Sequence, residues 1–237
     1  VDAMAGGGGL IQLPALLVGL PNKDLPLILG TNKVPSIFGT AAAARNYFKN
    51  IKPDIPLTIT MMVPAFIGSM AGAAFAASVP KEFFKPFIVL LLTSVAIYTW
   101  RKPELGMSEN LKFTNQKRLF LVALIGLLIG FYDGIFGPGT GTFLVFFLVS
   151  GIGYAFLKAS GTAKLVNIAT NAGAILSFQI TGHIWWQLGL LLAIANVSGA
   201  ILGSRLAIKG GSPLVRKVFL AVTFLLITRV AWDTFIS

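Results

Sequence analysis

Three long stretches of the chain carry no charge. No Asp, Glu, Lys, Arg or His occurs between Asp54 and Lys81, between Asp133 and Lys158, or between His183 and Arg205. Each gap is long enough for an α-helix to cross roughly 30 Å of hydrocarbon. Apolar runs and their polar breaks predict the same four pieces twice over. First comes an apolar stretch broken by glycine, at Ala5–Gly9 and again at Gly137–Gly141. A helix follows that should start near Thr31 in one set and Thr162 in the other. Two longer helices complete each set, at about 55–78 and 84–100, then at about 184–206 and 214–235. The extended polar stretch from Arg101 to Arg118 joins them.

A shift of the sequence along itself by 131 positions (164 − 33 = 131) aligns the two sets without a gap. Asp2 then falls on Asp133, Gly6 on Gly137, Gly8 on Gly139, Gly30-Thr31 on Gly161-Thr162, Lys33 on Lys164, Gly68 on Gly199 and Gly72 on Gly203. Residues 1–76 share sixteen identities with their counterparts, about three times the level of roughly one in fifteen that ordinary composition gives. Matching apolar residues would mean little in such a chain, but matching Asp, Lys, Thr and Gly is informative. Duplication of this kind is a frequent construction of secondary transporters.

Charge sets the expected orientation. Arg45, Lys49 and Lys52 lie in one break, whose counterpart at Leu176–His183 has no Lys or Arg. In the other pair of breaks the bias reverses, with Arg205, Lys209, Arg216 and Lys217 outweighing Lys81, Glu82 and Lys85. The positive-inside rule therefore places Arg45–Lys52, the 101–118 linker and Arg205–Lys217 in the cytoplasm. Equivalent loops land on opposite sides, so the repeats are inverted, and each half needs an odd number of crossings. The expected architecture is an all-α integral membrane protein of two inverted repeats. Each repeat holds a glycine-broken helical stretch plus three transmembrane helices, over residues 1–100 and 119–237, with the linker at 101–118.

Composition agrees. Of 237 residues 55% are hydrophobic and 11% charged, with a mean hydropathy of +0.82, too little charge for a soluble domain of this size. The net charge of +11 sits in the breaks, where it meets lipid headgroups, and does not point to nucleic acid. There is no cysteine, which removes disulfides and cysteine metal sites. Val1 runs directly into the glycine cluster, which reads as a helix whose beginning lies before it. Trp100, Trp185, Trp186 and Trp232 fall near predicted helix ends, as an aromatic belt would. His183 reads as interfacial.

The glycines divide into two kinds. Gly68 and Gly72, like Gly199 and Gly203, are spaced for close helix packing. Gly6, Gly7, Gly8 and Gly9, and Gly137, Pro138, Gly139, Thr140 and Gly141, are dense enough to unwind a helix. The backbone N–H groups they free must meet protein or line a polar cavity. With a new helix starting behind each break, the arrangement suits an anion. Thr31 and Thr162 are expected to cap helix N-termini, which puts Lys33 and Lys164 in first turns, opposed to the helix dipole by about 0.3–1 kcal/mol. Two readings stand beside each other: lysines that merely snorkel to the headgroups, or an anion between the two helix starts that offsets both costs. The second is suggested by the repetition of a locally unfavourable choice. Asn32, Ser36, Asn167, Thr170 and Asn171 lie in the next turns as further donors. Asp2 and Asp133 precede the breaks, and two roles stand open for them. One is an ion pair or a cap on the break, the favoured reading; the other is proton uptake coupled to anion movement. No metal spacing, nucleophile constellation or phosphate loop is present, so neither an enzyme nor a cofactor is expected.

Asp2-Ala3-Met4-Ala5-Gly6-Gly7-Gly8-Gly9-Leu10-Ile11 and Gly30-Thr31-Asn32-Lys33 with Ser36 resemble the first-half signature of the sulfite exporter TauE/SafE family. Gly130-Phe131-Tyr132-Asp133-Gly134-Ile135-Phe136-Gly137-Pro138-Gly139-Thr140-Gly141, then Thr162-Ala163-Lys164 with Asn167, Asn171 and Gly173, resemble its second half. The resemblance implies an inner-membrane, multi-pass permease that exports sulfite, sulfoacetate or related sulfur-containing anions, with its site at the paired motifs. The expected partners are a small anion and membrane lipid, with a homodimer open as an assembly. Two rivals carry different expectations: an uncoupled anion channel of the same fold, and a membrane assembly subunit that transports nothing.

Overall fold

The computed structural model describes residues 22–76 and 104–235, with shorter pieces at 3, 12–13, 15–16, 19–20, 93 and 96–102. Asp2, Gly6–Gly9 and most of the helix expected at 84–100 lie outside the described residues, although 96–101 is helical. All regular structure among the described residues is helical. α1 spans Leu25–Asn50 and α2 Ile55–Phe75. After the linker come α3, Asn115–Ile135, and the short α4, Thr140–Phe147. A π-helical turn, Leu148–Ile152, leads into α5, Phe156–Ile180. α6, Trp186–Phe235, is broken into two limbs at Gly211 (φ 62°, ψ −166°).

Local chemistry explains most of these boundaries. Pro26 and Pro56 stand in the first turns of α1 and α2, where a missing N–H costs nothing. The Asp54 side chain accepts from the Leu57 N–H and caps α2. One expectation fails here. α1 and α5 begin at Leu25 and Phe156, so Thr31, Lys33, Thr162 and Lys164 lie inside helices and not at their starts. The dipole cost assigned to the lysines does not arise there, because it fades beyond the first turn. The linker is also shorter than expected, since α3 already runs from Asn115.

The helices sort by polarity in the order a membrane demands. α2, α3 and the first limb of α6 are long and apolar enough to cross a bilayer. They expose Ile59, Val63, Ile67, Phe120, Leu128, Leu191 and Ile194. α1 and α5 are more polar and are packed at the centre, where they bury Thr31, Asn32, Lys33, Thr162, Lys164, Thr170 and Asn171. Hydrophobic residues face outward and polar ones inward, because hydrocarbon cannot hydrogen-bond.

The matching segments keep matching boundaries. Shifted by 131, α1 becomes 156–181 and α2 becomes 186–206, beside the observed starts of α5 at Phe156 and α6 at Trp186. α1 packs on α6 and α2 on α5, while α1 and α5 pack on each other. Gly30, early in α1, lies against Phe178, late in α5, and Gly161 lies against Tyr47. The two central helices therefore run antiparallel. At one end gather the 51–54 loop, the linker and the 204–216 region. Asn46 donates to Ser204 there, Phe156 N–H donates to the Gly106 carbonyl, and Arg216 donates to the Thr99 carbonyl. The Thr181–Trp185 loop lies at the opposite end.

α2 and α3 approach until their backbones touch. Side chains at Gly68 and Gly72 would run into the Leu127 and Phe131 carbonyls, and at Gly130 and Gly134 into those of Ala65 and Ser69. Close contact of this kind is how helices associate where burial from water offers no driving force. Gly199, the counterpart of Gly68, has nothing within 4 Å of a side-chain position.

Candidate functional site

The chain leaves α3 at Ile135 and unwinds over Phe136-Gly137-Pro138-Gly139 before α4 begins at Thr140. Gly137 and Gly139 have φ of 90° and 85°, a region that costs a residue with a side chain about 1–3 kcal/mol. The Tyr132 hydroxyl donates to the Pro138 carbonyl and pins the break. The expected interruption is therefore present, with the N-terminus of α4 directly behind it.

Lys33 reaches this break from α1. Its ammonium lies 2.8 Å from Asp133 Oδ2, donates to the Asp133 carbonyl at 2.6 Å, and sits 3.2 Å from where a Gly137 side chain would begin. Lys33 is 3% exposed and Asp133 2%. The other carboxylate oxygen accepts from the Thr140 hydroxyl at 2.7 Å. A buried charge is tolerated only when paired and hydrogen-bonded, and here each charge is the other's partner. One residue comes from the first set of helices and the other from the second.

The remaining sequence-predicted residues take several roles. Lys164 is buried as deeply as Lys33, at 1% exposed. Gly141 and Thr140 form the first turn of α4 beside the ion pair. Thr31 does not cap its own helix: its hydroxyl accepts from the Trp185 N–H at 2.9 Å, at the start of α6. Ser36 donates to the Asn32 carbonyl, and Asn171 to the Asn167 carbonyl, so both bond within their own helices. The Asn167 amide donates to Thr170. Among the described residues, the Asn32 side-chain carbonyl and the Thr162 hydroxyl are buried without a hydrogen-bond partner. Gly137, Gly139, Thr140, Lys33 and Asp133 are thus assembled in one place; Gly6–Gly9 and Asp2 lie outside the described residues.

Sequence reading missed three contacts. Ser69 donates to the Thr170 carbonyl and ties α2 to α5. Asn196 covers Gly39, whose side chain would begin 2.7 Å from the Asn196 Oδ1. Tyr154 lies 3.4 Å from Asp54 at the linker end; burial and then the Asp54 carboxylate push its phenol up, so it stays a neutral donor. The Lys33–Asp133 pair had a signal, because two lysines and two aspartates in the paired motifs needed partners of opposite charge. Among the described residues no cluster of His, Asp and Glu could hold a metal ion.

Comparison with known proteins agrees with this architecture. Residues 1–230 match the model of the family described as sulfite exporter TauE/SafE. A probable membrane transporter protein of Sinorhizobium sp is 35% identical over 98% of this chain and 88% of its own length. One of Haemophilus influenzae is 30% identical over 98% of this chain and 90% of its own. One of Escherichia coli K12 is 31% identical over 99% and 86%. No solved structure matches the chain. The helical membrane architecture, the paired glycine and lysine motifs and the family match over residues 1–230 together make the chain a member of the sulfite exporter TauE/SafE family of membrane transporters.

Proposed function

We propose that the protein is a secondary transporter that exports small sulfur-containing oxyanions, such as sulfite or sulfoacetate, across the inner membrane by alternating access. One observation carries the site: a buried ammonium, Lys33, is set against the glycine break at the N-terminus of α4. That end of α4 favours negative charge, and at rest the Asp133 carboxylate supplies it. An incoming oxyanion shares Lys33 with Asp133 and accepts from the N–H groups of Gly137, Gly139 and Gly141, while Asp133 keeps its bond from Thr140. Lys164 and Gly6–Gly9 are the counterparts in the other half. The test is transport by purified protein in liposomes. Uptake of labelled sulfoacetate should saturate, and excess sulfite should compete with it while chloride should not. Equal competition by chloride, or no movement of any sulfur oxyanion, would sink the reading. Accumulation against a gradient separates a transporter from an uncoupled channel.

The same proposal includes two inverted halves, with the 51–54 loop, the linker and Arg205–Lys217 in the cytoplasm. It is supported by the antiparallel α1 and α5 and by the concentration of positive charge at one end. A cysteine at Asn50 should react with an impermeant thiol reagent only from the cytoplasmic side, and one at Thr181 only from outside. Reaction of both from one side contradicts the inverted arrangement.

A further inference from the structure

The two halves use equivalent residues differently at the two ends of the molecule. Gly30-Thr31 corresponds to Gly161-Thr162, and His183-Ile184-Trp185 corresponds to Lys52-Pro53-Asp54, by the shift of 131. At one end the loop is latched. Trp185 N–H donates to the Thr31 hydroxyl at 2.9 Å, and Gly30 lies so close under the His183 carbonyl that no side chain would fit. Trp185 also stacks against the Lys23 ammonium, 5.9 Å from its ring centre.

At the other end the same latch is undone. Thr162 is 1% exposed, yet among the described residues its hydroxyl finds no hydrogen-bond partner. The Asp54 N–H, counterpart of the Trp185 N–H, does not reach it. A side chain at Gly161 would begin 3.3 Å from the Tyr47 side chain, and not against the Lys52 carbonyl. A crevice remains between the loop and α5, lined by Tyr47, Ile51, Pro53, Lys158, Gly161 and Thr162. A buried hydroxyl without a partner is costly and calls for a state in which it has one.

We infer that Thr31–Trp185 and Thr162–Asp54 are paired gate latches, closed one at a time. The inference rests on the transporter reading and deepens it by naming the contacts that exchange. In the alternate state Asp54 N–H bonds to the Thr162 hydroxyl, the Lys52 carbonyl settles over Gly161, and Trp185 leaves Thr31. Each state then holds one latch of the same chemistry, so the two states differ little in free energy and a bound solute can shift their balance. Glycine is required on both sides, at Gly30 and at Gly161, because each must admit a backbone carbonyl at contact distance in one of the two states.

The chain has no cysteine, so introduced pairs are its only thiols. One protein carries Thr31→Cys with Trp185→Cys, the other Thr162→Cys with Asp54→Cys, each reconstituted in liposomes and treated with a short bifunctional thiol reagent. Both pairs should cross-link, and millimolar sulfoacetate should change their yields in opposite directions. A Thr162–Asp54 pair that never cross-links while the wild-type protein moves sulfoacetate overturns the inference and leaves the function standing. Cross-linking at both pairs without movement of any sulfur oxyanion supports the latches and overturns the substrate reading. A second variant avoids the double substitutions. Thr162→Val should keep or raise the wild-type melting temperature, since its hydroxyl is buried without a partner in this state. It should slow turnover roughly five-fold through loss of one hydrogen bond, and Thr162→Ser should restore the rate. Wild-type turnover in Thr162→Val overturns the inference.

Discussion

Replacing Lys33 by methionine is expected to destabilise the protein by about 3–5 kcal/mol and to abolish anion movement. The first effect follows from burial. Asp133 is 2% exposed and its Oδ2 faces Lys33 at 2.8 Å. Removing one partner of a buried ion pair leaves an uncompensated charge, and that penalty is of this size. The sign is opposite to what a lysine in a first helical turn would give, since relief of a dipole conflict would stabilise. Lys33→Met combined with Asp133→Asn removes both charges while an amide keeps the bond from Thr140. The double variant should recover most of the lost stability, and the cycle reports the coupling between the two residues. Transport should not recover, because the cation that receives the oxyanion is gone. Melting temperatures in detergent and sulfoacetate uptake in liposomes measure the two effects separately. A double variant that transports at the wild-type rate would reduce the pair to a brace. A single variant as stable as wild type would mean that Asp133 is not held by Lys33.

The second large effect is expected at Gly130. A single added methyl group, Gly130→Ala, points into the Ala65 carbonyl, with the Ala65 Cα at 2.8 Å. Backbone cannot step aside as a side-chain tip can, so α2 and α3 must separate along their whole seam. Overpacking of this kind costs about 1–3 kcal/mol, offset in part by the better helix propensity of alanine. Gly199→Ala is the matched control. It lies in a helix, and a methyl group there meets nothing within 4 Å, so it should be neutral or stabilising by up to about 1 kcal/mol. Expression and melting temperature of the two variants decide the matter. Equal behaviour of Gly130→Ala and Gly199→Ala would show that the seam yields where its backbone contacts say it cannot.

The sequence by itself determined what the bilayer demands of each segment. Charge-free runs mark the spans at α2 and α6 because hydrocarbon excludes charge. Glycine and proline at 137–139 mark the break because no other residue combination unwinds a helix so cheaply. The duplication was legible because Asp, Gly, Thr and Lys recur at one spacing, and the family because the motifs around them resemble its two signatures. These are local properties, readable one segment at a time. Tertiary structure decided the rest, because it depended on partners distant in the chain. α1 runs from Leu25 through Gly30, Thr31 and Lys33, although Gly30-Thr31 reads locally as a helix start. Gly30 is small there to admit the His183 carbonyl, and Thr31 serves the Trp185 amide 154 residues away. Asp24-Leu25-Pro26 did carry the true start signal, with proline in the first turn. Lys33 is stable inside a buried helix only because Asp133, 100 residues later, meets it. Nothing in the sequence around either residue names the other; their pairing follows from the fold, which brings α1 against the break between α3 and α4 and buries both side chains there.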